Sequence, residues 1–210
     1  MNAAEFYERY WQHATDPASE CGQIVGERQT MLKAALSHLP PKARVLDSGC
    51  GNGVFTAFLQ ELGFDVVGID ISTTAVEHAK QQCPSIQFKV ASLEGRLPFQ
   101  NEEFDAVWCT EVLEHVFDVD KALTEIKRIL RSGGKLVLTT PYHGLVKNLV
   151  ISILAFNRHY DPRGPHIRFF SRRSLTLCLE QAGFGVERWA GVGRFWPVWM
   201  SHFVVARKLS

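Results

Sequence analysis

Two clusters of residues in this chain have the types and spacing to do chemistry. The first is Val45-Leu46-Asp47-Ser48-Gly49-Cys50-Gly51-Asn52-Gly53, followed by an apolar run from Val54. A strand, a glycine-rich turn and a helix start in that order form the ligand crevice at the carboxyl edge of an open α/β sheet. Glycines there allow positive φ and close approach of backbone to ligand. A dinucleotide fingerprint, G-x-G-x-x-G, needs its third glycine where Val54 stands, and the extra glycine is Gly53 instead. Asp47 would oppose a pyrophosphate but suits a ligand carrying an ammonium and a sulfonium. Asp70 ends the next apolar run, 23 residues after Asp47. A carboxylate at that place accepts both ribose hydroxyls at once. Each piece alone has a plainer use, as a tight turn or an N-cap. Taken together, order and spacing argue for S-adenosylmethionine (SAM) over a nicotinamide dinucleotide, with Asp47, Gly49, Cys50, Gly51, Gly53, Asp70 and Ile71 around it.

The second cluster is Glu111-Val112-Leu113-Glu114-His115. If helical, Glu111, Glu114 and His115 lie at i, i+3 and i+4 on one face. Such a trio could ligate a divalent cation such as Mg, His115 could act alone as a general base, or the histidine could be structural. The chemistry of a sulfonium cofactor gives such groups a use. Methyl transfer is an in-line displacement, for which an enzyme chiefly supplies proximity and alignment. A phenol or alcohol acceptor must also lose its proton, to a His or Glu base or under a metal that lowers the hydroxyl pKa.

The elements that must position these groups alternate from Arg44 onward. Apolar runs at Arg44–Leu46, Val66–Ile69, Ile86–Val90, Phe104–Trp108 and Lys135–Thr140 read as strands. Val54–Glu61 and Thr74–Gln82 read as helices. A third follows Asp118 or Asp120, with Val119, Ala122, Leu123, Ile126, Ile129 and Leu130 on one face. Ser132-Gly133-Gly134 reads as a turn. Strands joined by helical crossovers imply a parallel sheet covered on both faces. Further on, Ser171 caps a helix through Ala182, and Val186–Ala190 and Met200–Ala206 close the chain around an aromatic turn holding Trp196, Pro197 and Trp199. One domain is expected over 1–210, with a helical arm at 1–40 and an insertion at 142–170. The arm carries Phe6, Tyr7, Tyr10 and Trp11. Tyr7 is a candidate for a lid, and the alternative is an aromatic face packed on the sheet. The insertion is rich in Leu, Val and Ile. It could cover a greasy acceptor, touch a membrane surface, form a dimer interface or be buried, and Arg158, His159 and Arg163 lie beyond it.

Composition narrows the classes. The chain has 210 residues, 46% hydrophobic and 21% charged, with 23 basic and 22 acidic residues. That is an ordinary globular composition, not that of a disordered, collagenous or coiled-coil chain. A near-neutral balance gives no global electrostatic footprint for nucleic acid. Five cysteines without a CxxC argue against a disulfide framework or a cysteine-based zinc site. The first residues lack a basic start and an apolar core, so no signal peptide is expected and a cytoplasmic location is.

Together with Val67-Gly68-Ile69-Asp70, Leu97-Pro98-Phe99 before Phe104-Asp105, and Leu130-Arg131-Ser132-Gly133-Gly134-Lys135-Leu136, the glycine loop resembles the ordered motifs of class I SAM-dependent methyltransferases. The resemblance runs from about Val45 to Thr140. It implies an α/β, Rossmann-like three-layer sandwich whose seven-stranded, mostly parallel sheet has an antiparallel last strand. It puts Ser92 where the family usually has an acidic residue near the adenine amine, with Glu94 as a substitute, and Leu93 beside the adenine. It puts Glu111 in the loop facing methyl group and acceptor. Glu-x-x-Glu-His resembles the ubiquinone-pathway O-methyltransferases and the small-RNA 2′-O-methyltransferases, where such groups are associated with a divalent metal. The latter add a later histidine, which His166-Ile167-Arg168-Phe169-Phe170-Ser171 resembles. The implied catalytic set is therefore Glu111, His115 and His166, and the implied metal set Glu111, Glu114, His115 and His166. The expected activity is O-methylation of a phenolic, quinone-like or lipid-like small molecule. A metal-dependent RNA-end methyltransferase and a SAM-binding protein without an acceptor are the rivals.

Overall fold

Runs of β-branched and apolar residues too short for helices become strands, and the amphipathic segments between them cross over as helices. The computed structural model describes residues 3–13, 22–154, 156 and 167–209. Two helices come first, α1 (Ala3–His13) and α2 (Gly22–Leu36). Then follow β1 (Arg44–Ser48), α3 (Val54–Glu61), β2 (Asp65–Asp70), α4 (Thr73–Gln82), β3 (Gln87–Val90), β4 (Phe104–Thr110) and α5 (Val119–Ile129). The chain continues through β5 (Leu130–Pro141), α6 (Leu145–Leu154), α7 (Arg172–Gln181), β6 (Phe184–Val192) and β7 (Ser201–Lys208).

The seven strands form one sheet in the order β3-β2-β1-β4-β5-β7-β6. The first five are parallel. The last strand, β7, runs antiparallel between β5 and β6. The strand order reverses between β1 and β4, and in open α/β sheets ligands bind outside the carboxyl ends of the strands at that switch point.

Strand alternation sends Val45, Ala106, Trp108, Val137 and Phe203 to one face, where α2 and α3 cover them with Leu32, Leu36 and Leu59. Val76 and Ala79 of α4 pack on Phe88 beside them. Leu46, Val107, Leu136 and Val204 point the other way, under Ala122, Leu123, Ile126 and Ile129 of α5 and Leu175 and Leu179 of α7. Three layers result. The helix starts are fixed by short polar side chains. Ser72 accepts from Ala75 N at 3.2 Å, Asp118 from Lys121 N at 2.9 Å, and Ser171 closes a capping box with Ser174. Each such cap stabilises by about 1 kcal/mol.

Two local expectations are corrected. Ser132-Gly133-Gly134 is not a turn ahead of the strand, because β5 already pairs with Phe104 at Leu130 and bulges before Lys135. Gly134 has no room for a side chain there, since a Cβ would stand 2.9 Å from the Arg131 carbonyl oxygen and 3.1 Å from that of Asp105. Of the alternatives for the insertion, burial does not hold for α6, which has no buried residue and whose Leu145, Leu149, Ile153 and Leu154 are all more than half exposed. Among the described residues no helix is long and apolar enough to cross a membrane.

Candidate active site

A cavity of about 630 Å³ opens at the carboxyl ends of β1, β2 and β4. Its floor is the glycine loop, where Gly49, Gly51 and Gly53 take φ of 75°, 53° and 88°, a region other residues enter at a cost. The turn is tied to the next strand, because Gly49 N and Cys50 N donate to the Ile69 carbonyl at 2.8 and 2.9 Å. Asp70 lines the cavity. Its Oδ2 accepts from Gly51 N at 3.0 Å and its Oδ1 from Ser72 N at 2.9 Å. Burial raises its pKa against the lowering effect of the Ser72, Gly51 and Ile71 amides. A carboxylate has about four acceptor sites, so capacity for a further donor remains.

Gly49, Gly51, Asp70, Ile71, Ser92, Leu93, Glu111 and His115 all line this cavity. Asp47, Cys50, Gly53 and Glu114 are not among its lining residues. Asp47 lies behind the strand, fully buried, where its Oδ2 accepts from Thr56 Oγ1 of α3 at 2.6 Å. Burial pushes its pKa up to about 7. Strand geometry explains the placement, since Asp47 shares the face of Val45, which α2 and α3 cover. Cys50 packs beneath the loop with Val76, Ala79 and Phe88. Ser92 Oγ accepts from Glu94 N at 3.1 Å, which leaves its hydroxyl proton to donate. Glu94 also lines the cavity, and its Oε1 accepts from Phe117 N. His166 lies outside the described residues, as do Arg158, His159 and Arg163.

The segment after β4 is not an α-helix. Glu111 has φ 50°, and a single 3₁₀ turn spans Leu113–His115. A non-glycine residue in the left-handed region is held by its surroundings. Glu111 N donates to the Thr139 carbonyl at 3.0 Å, and Glu111 Oε1 accepts from Arg28 Nη2 at 2.9 Å and Thr139 Oγ1 at 2.8 Å. The trio expected on one helical face is thus divided. Glu114 points into the protein, fully buried, and desolvation together with the Glu111 charge raises its pKa well above the carboxylate range. His115 faces the cavity, its Nε2 3.8 Å from Glu114 Oε1 and its ring edge-to-face with Tyr7 at 5.3 Å.

Arg28 is the functional residue that sequence reasoning missed. It comes from α2, is 9% exposed, and its Nη2 bridges Glu111 and Ser201, both at 2.9 Å. Its Nε is buried and has no hydrogen-bond partner among the described residues. Among the described lining residues it is the one permanent cation, against the carboxylates of Asp70, Glu94 and Glu111. No local motif marks it, because its partner Glu111 is 83 residues away. The roof is α1, which lines the cavity with Phe6, Tyr7, Tyr10 and Trp11. That places the aromatic arm over the crevice rather than on the sheet.

A family model described as a methyltransferase domain matches residues 18–188. The mitochondrial ubiquinone biosynthesis O-methyltransferase of Mus musculus is 35% identical over 179 residues, covering 79% of this chain and 48% of that protein. The chain belongs to the class I SAM-dependent methyltransferases. The ubiquinone biosynthesis O-methyltransferase of Xanthomonas axonopodis pv. citri is 34% identical over 189 residues, covering 87% of the methyltransferase and 78% of that relative. A SAM-dependent methyltransferase from Aquifex aeolicus shares the fold, with a TM-score of 0.71 at 20% identity over 96% of this chain and 98% of the other. The methyltransferase spans about half the length of the mouse relative.

The crevice of the methyltransferase fits SAM by charge. The carboxylates of Asp70, Glu94 and Glu111 line it beside Arg28, a set of charges that suits a ligand carrying a sulfonium, an ammonium and a carboxylate. A divalent metal fits poorly. Among the described residues no group of three His, Cys, Asp or Glu side chains is arranged to hold one. Glu111 is already neutralised by Arg28, and Glu114 is turned inward.

Proposed function

We propose that this methyltransferase O-methylates a small, apolar aromatic acceptor, with His115 as the general base. One observation carries the proposal. A single cavity runs from Asp70 and the glycine loop to His115 and Glu111, and around Arg28 and Ser201 the lining at the His115 end is mostly apolar, with Tyr7, Ile24, Val112, Val116, Pro141 and Met200. The ribose would sit on Asp70, the adenine against Leu93 with Ser92 and Glu94 near its edge, and the methionine end over Gly49 and Gly51 toward Arg28. SAM supplies the activated methyl group. The protein's part is to align an acceptor oxygen with it and to take the acceptor's proton. His115 would serve as that base, since a base must lie within reach of the reacting atom and His115 lines the cavity. The resulting imidazolium would have Glu114 Oε1 3.8 Å from its Nε2. Among the described residues the donors do not converge on a metal, since Arg28 holds Glu111 and Glu114 is turned inward.

Relatives named for ubiquinone biosynthesis O-methylation support a phenolic acceptor. The exposed apolar face of α6 supports an acceptor of lipid-like character, met at or near a membrane surface. The test is release of S-adenosylhomocysteine (SAH) across a panel of phenols, catechols, amines and capped RNA ends, with and without chelator. Turnover on phenols that survives chelation is expected. Turnover confined to amines or RNA, or abolished by chelator, would overturn the proposal.

A further inference from the structure

We propose that Glu8 is a positioning residue that latches α1 over the crevice and so sets how long cofactor and product stay bound. The proposal rests on the SAM site described above.

Glu8 stands on α1 between Tyr7 and Trp11, two of the aromatic residues that roof the cavity. Its own side chain points elsewhere, to the start of α4. Oε2 accepts from Ser72 Oγ at 2.9 Å, Thr73 N at 2.9 Å and Thr74 N at 3.4 Å, and Oε1 accepts from Thr74 Oγ1 at 2.5 Å. The first amides of a helix have no partner within it, and that end of the helix carries partial positive charge. A carboxylate is the side chain best suited to both. Here it is supplied by a different helix, so the cap of α4 is also a tie across the roof. These contacts hold the Glu8 pKa below the usual carboxylate range, led by the Thr74 hydroxyl.

What the tie holds in place explains its effect. The Trp11 indole lies so close over the glycine loop that a Cβ on Gly51 would stand 2.8 Å from Cζ2. Tyr7 packs edge-to-face on His115 at 5.3 Å, with its hydroxyl buried and without a hydrogen-bond partner among the described residues. With α1 in this position Trp11 covers the glycine loop and Tyr7 covers His115. Ser72 connects the latch to the cofactor carboxylate: its amide donates to Asp70 Oδ1 at 2.9 Å while its hydroxyl donates to Glu8. Ribose on Asp70 and Glu8 on α4 therefore stabilise the same turn, and each favours the other.

The test compares wild type with Glu8→Ala and Glu8→Gln. SAH dissociation is followed by stopped-flow fluorescence, and hydrogen exchange is followed in residues 3–13 without ligand. Glu8→Ala should raise the SAH dissociation rate about tenfold and the KM for SAM by a similar factor, lower kcat less, and strip protection from α1 while β4 keeps its own. Glu8→Gln retains one acceptor oxygen without the charge and should fall between. Protection of α1 and SAH dissociation both within twofold of wild type in Glu8→Ala would overturn the latch. So would a fall in kcat with an unchanged KM for SAM. A wild type that binds no SAH would defeat the SAM site itself, and the exchange experiment would still decide whether Glu8 holds α1.

Discussion

The two ends of the crevice are built by opposite means. At the cofactor end the floor is fixed by short-range polar contacts. Glycine loop, Asp70 and Ser72 lie within one βαβ unit and bind one another through backbone amides. At the acceptor end the walls come from α1, α2, the 3₁₀ turn and the segment before β7, and the neighbouring surface of α6 is exposed Leu, Val and Ile. A site that must recognise one invariant ligand is fixed by local hydrogen bonds. A site that takes a variable acceptor is assembled from distant pieces, and its apolar surface stays open.

If that division is correct, substitutions at the two ends separate in their effects. The largest is expected at His115. Removing the base in His115→Ala should cut kcat by about 100-fold or more and leave SAH affinity within about threefold of wild type, as read by steady-state kinetics and calorimetry. Equal loss of both would merge the two ends into one. Asp70→Ala should do the reverse, weakening SAH binding by about 10–100-fold through loss of charge-assisted hydrogen bonds worth about 1.5–3 kcal/mol. At saturating SAM its kcat should largely return.

Asp47 sharpens the boundary of the cofactor end, because it supports the loop from behind. Its folded-state pKa of about 7 lies above the ordinary 3.8. Between those values the folded protein keeps a proton that the unfolded chain has lost, so this group makes stability fall as pH rises from about 4 to about 7. Asp47→Asn should remove that slope. Its melting temperature relative to wild type should climb with pH by about 2–4 °C for each kcal/mol recovered, and a difference independent of pH would reassign the charge. The smallest effect is expected on α6. Leu149→Ser with Ile153→Ser should raise KM for an apolar acceptor a few-fold without changing SAH affinity, since single exposed side chains contribute little unless covered on binding.

The same division governs what the sequence made legible. The parallel strands, their crossovers and the residues Gly49, Gly51 and Asp70 at the crevice follow from local periodicity and turn chemistry, while Leu93 followed only from the family resemblance. Asp47 was legible as a charge but not by side: its place in the alternation of β1 turns it under α3, away from the ligand. The Glu111–His115 cluster was legible by type but not by shape. A helix there is broken by the left-handed Glu111, and what holds that conformation is Arg28 on α2 and Thr139 on β5, neither of them near in sequence. Arg28 itself has no signature, since an arginine in an amphipathic helix is ordinarily a solvated side chain. Tertiary ion pairs of this kind cannot be read from spacing.

Calorimetric titration of the purified protein with SAH and, separately, with NAD, repeated on Asp70→Ala, tests the central assignment most directly. The account predicts saturable SAH binding at one site, about 10–100-fold weaker in the variant, and no heat from NAD. Binding of NAD in preference to SAH, or SAH affinity unaltered by loss of Asp70, would contradict it.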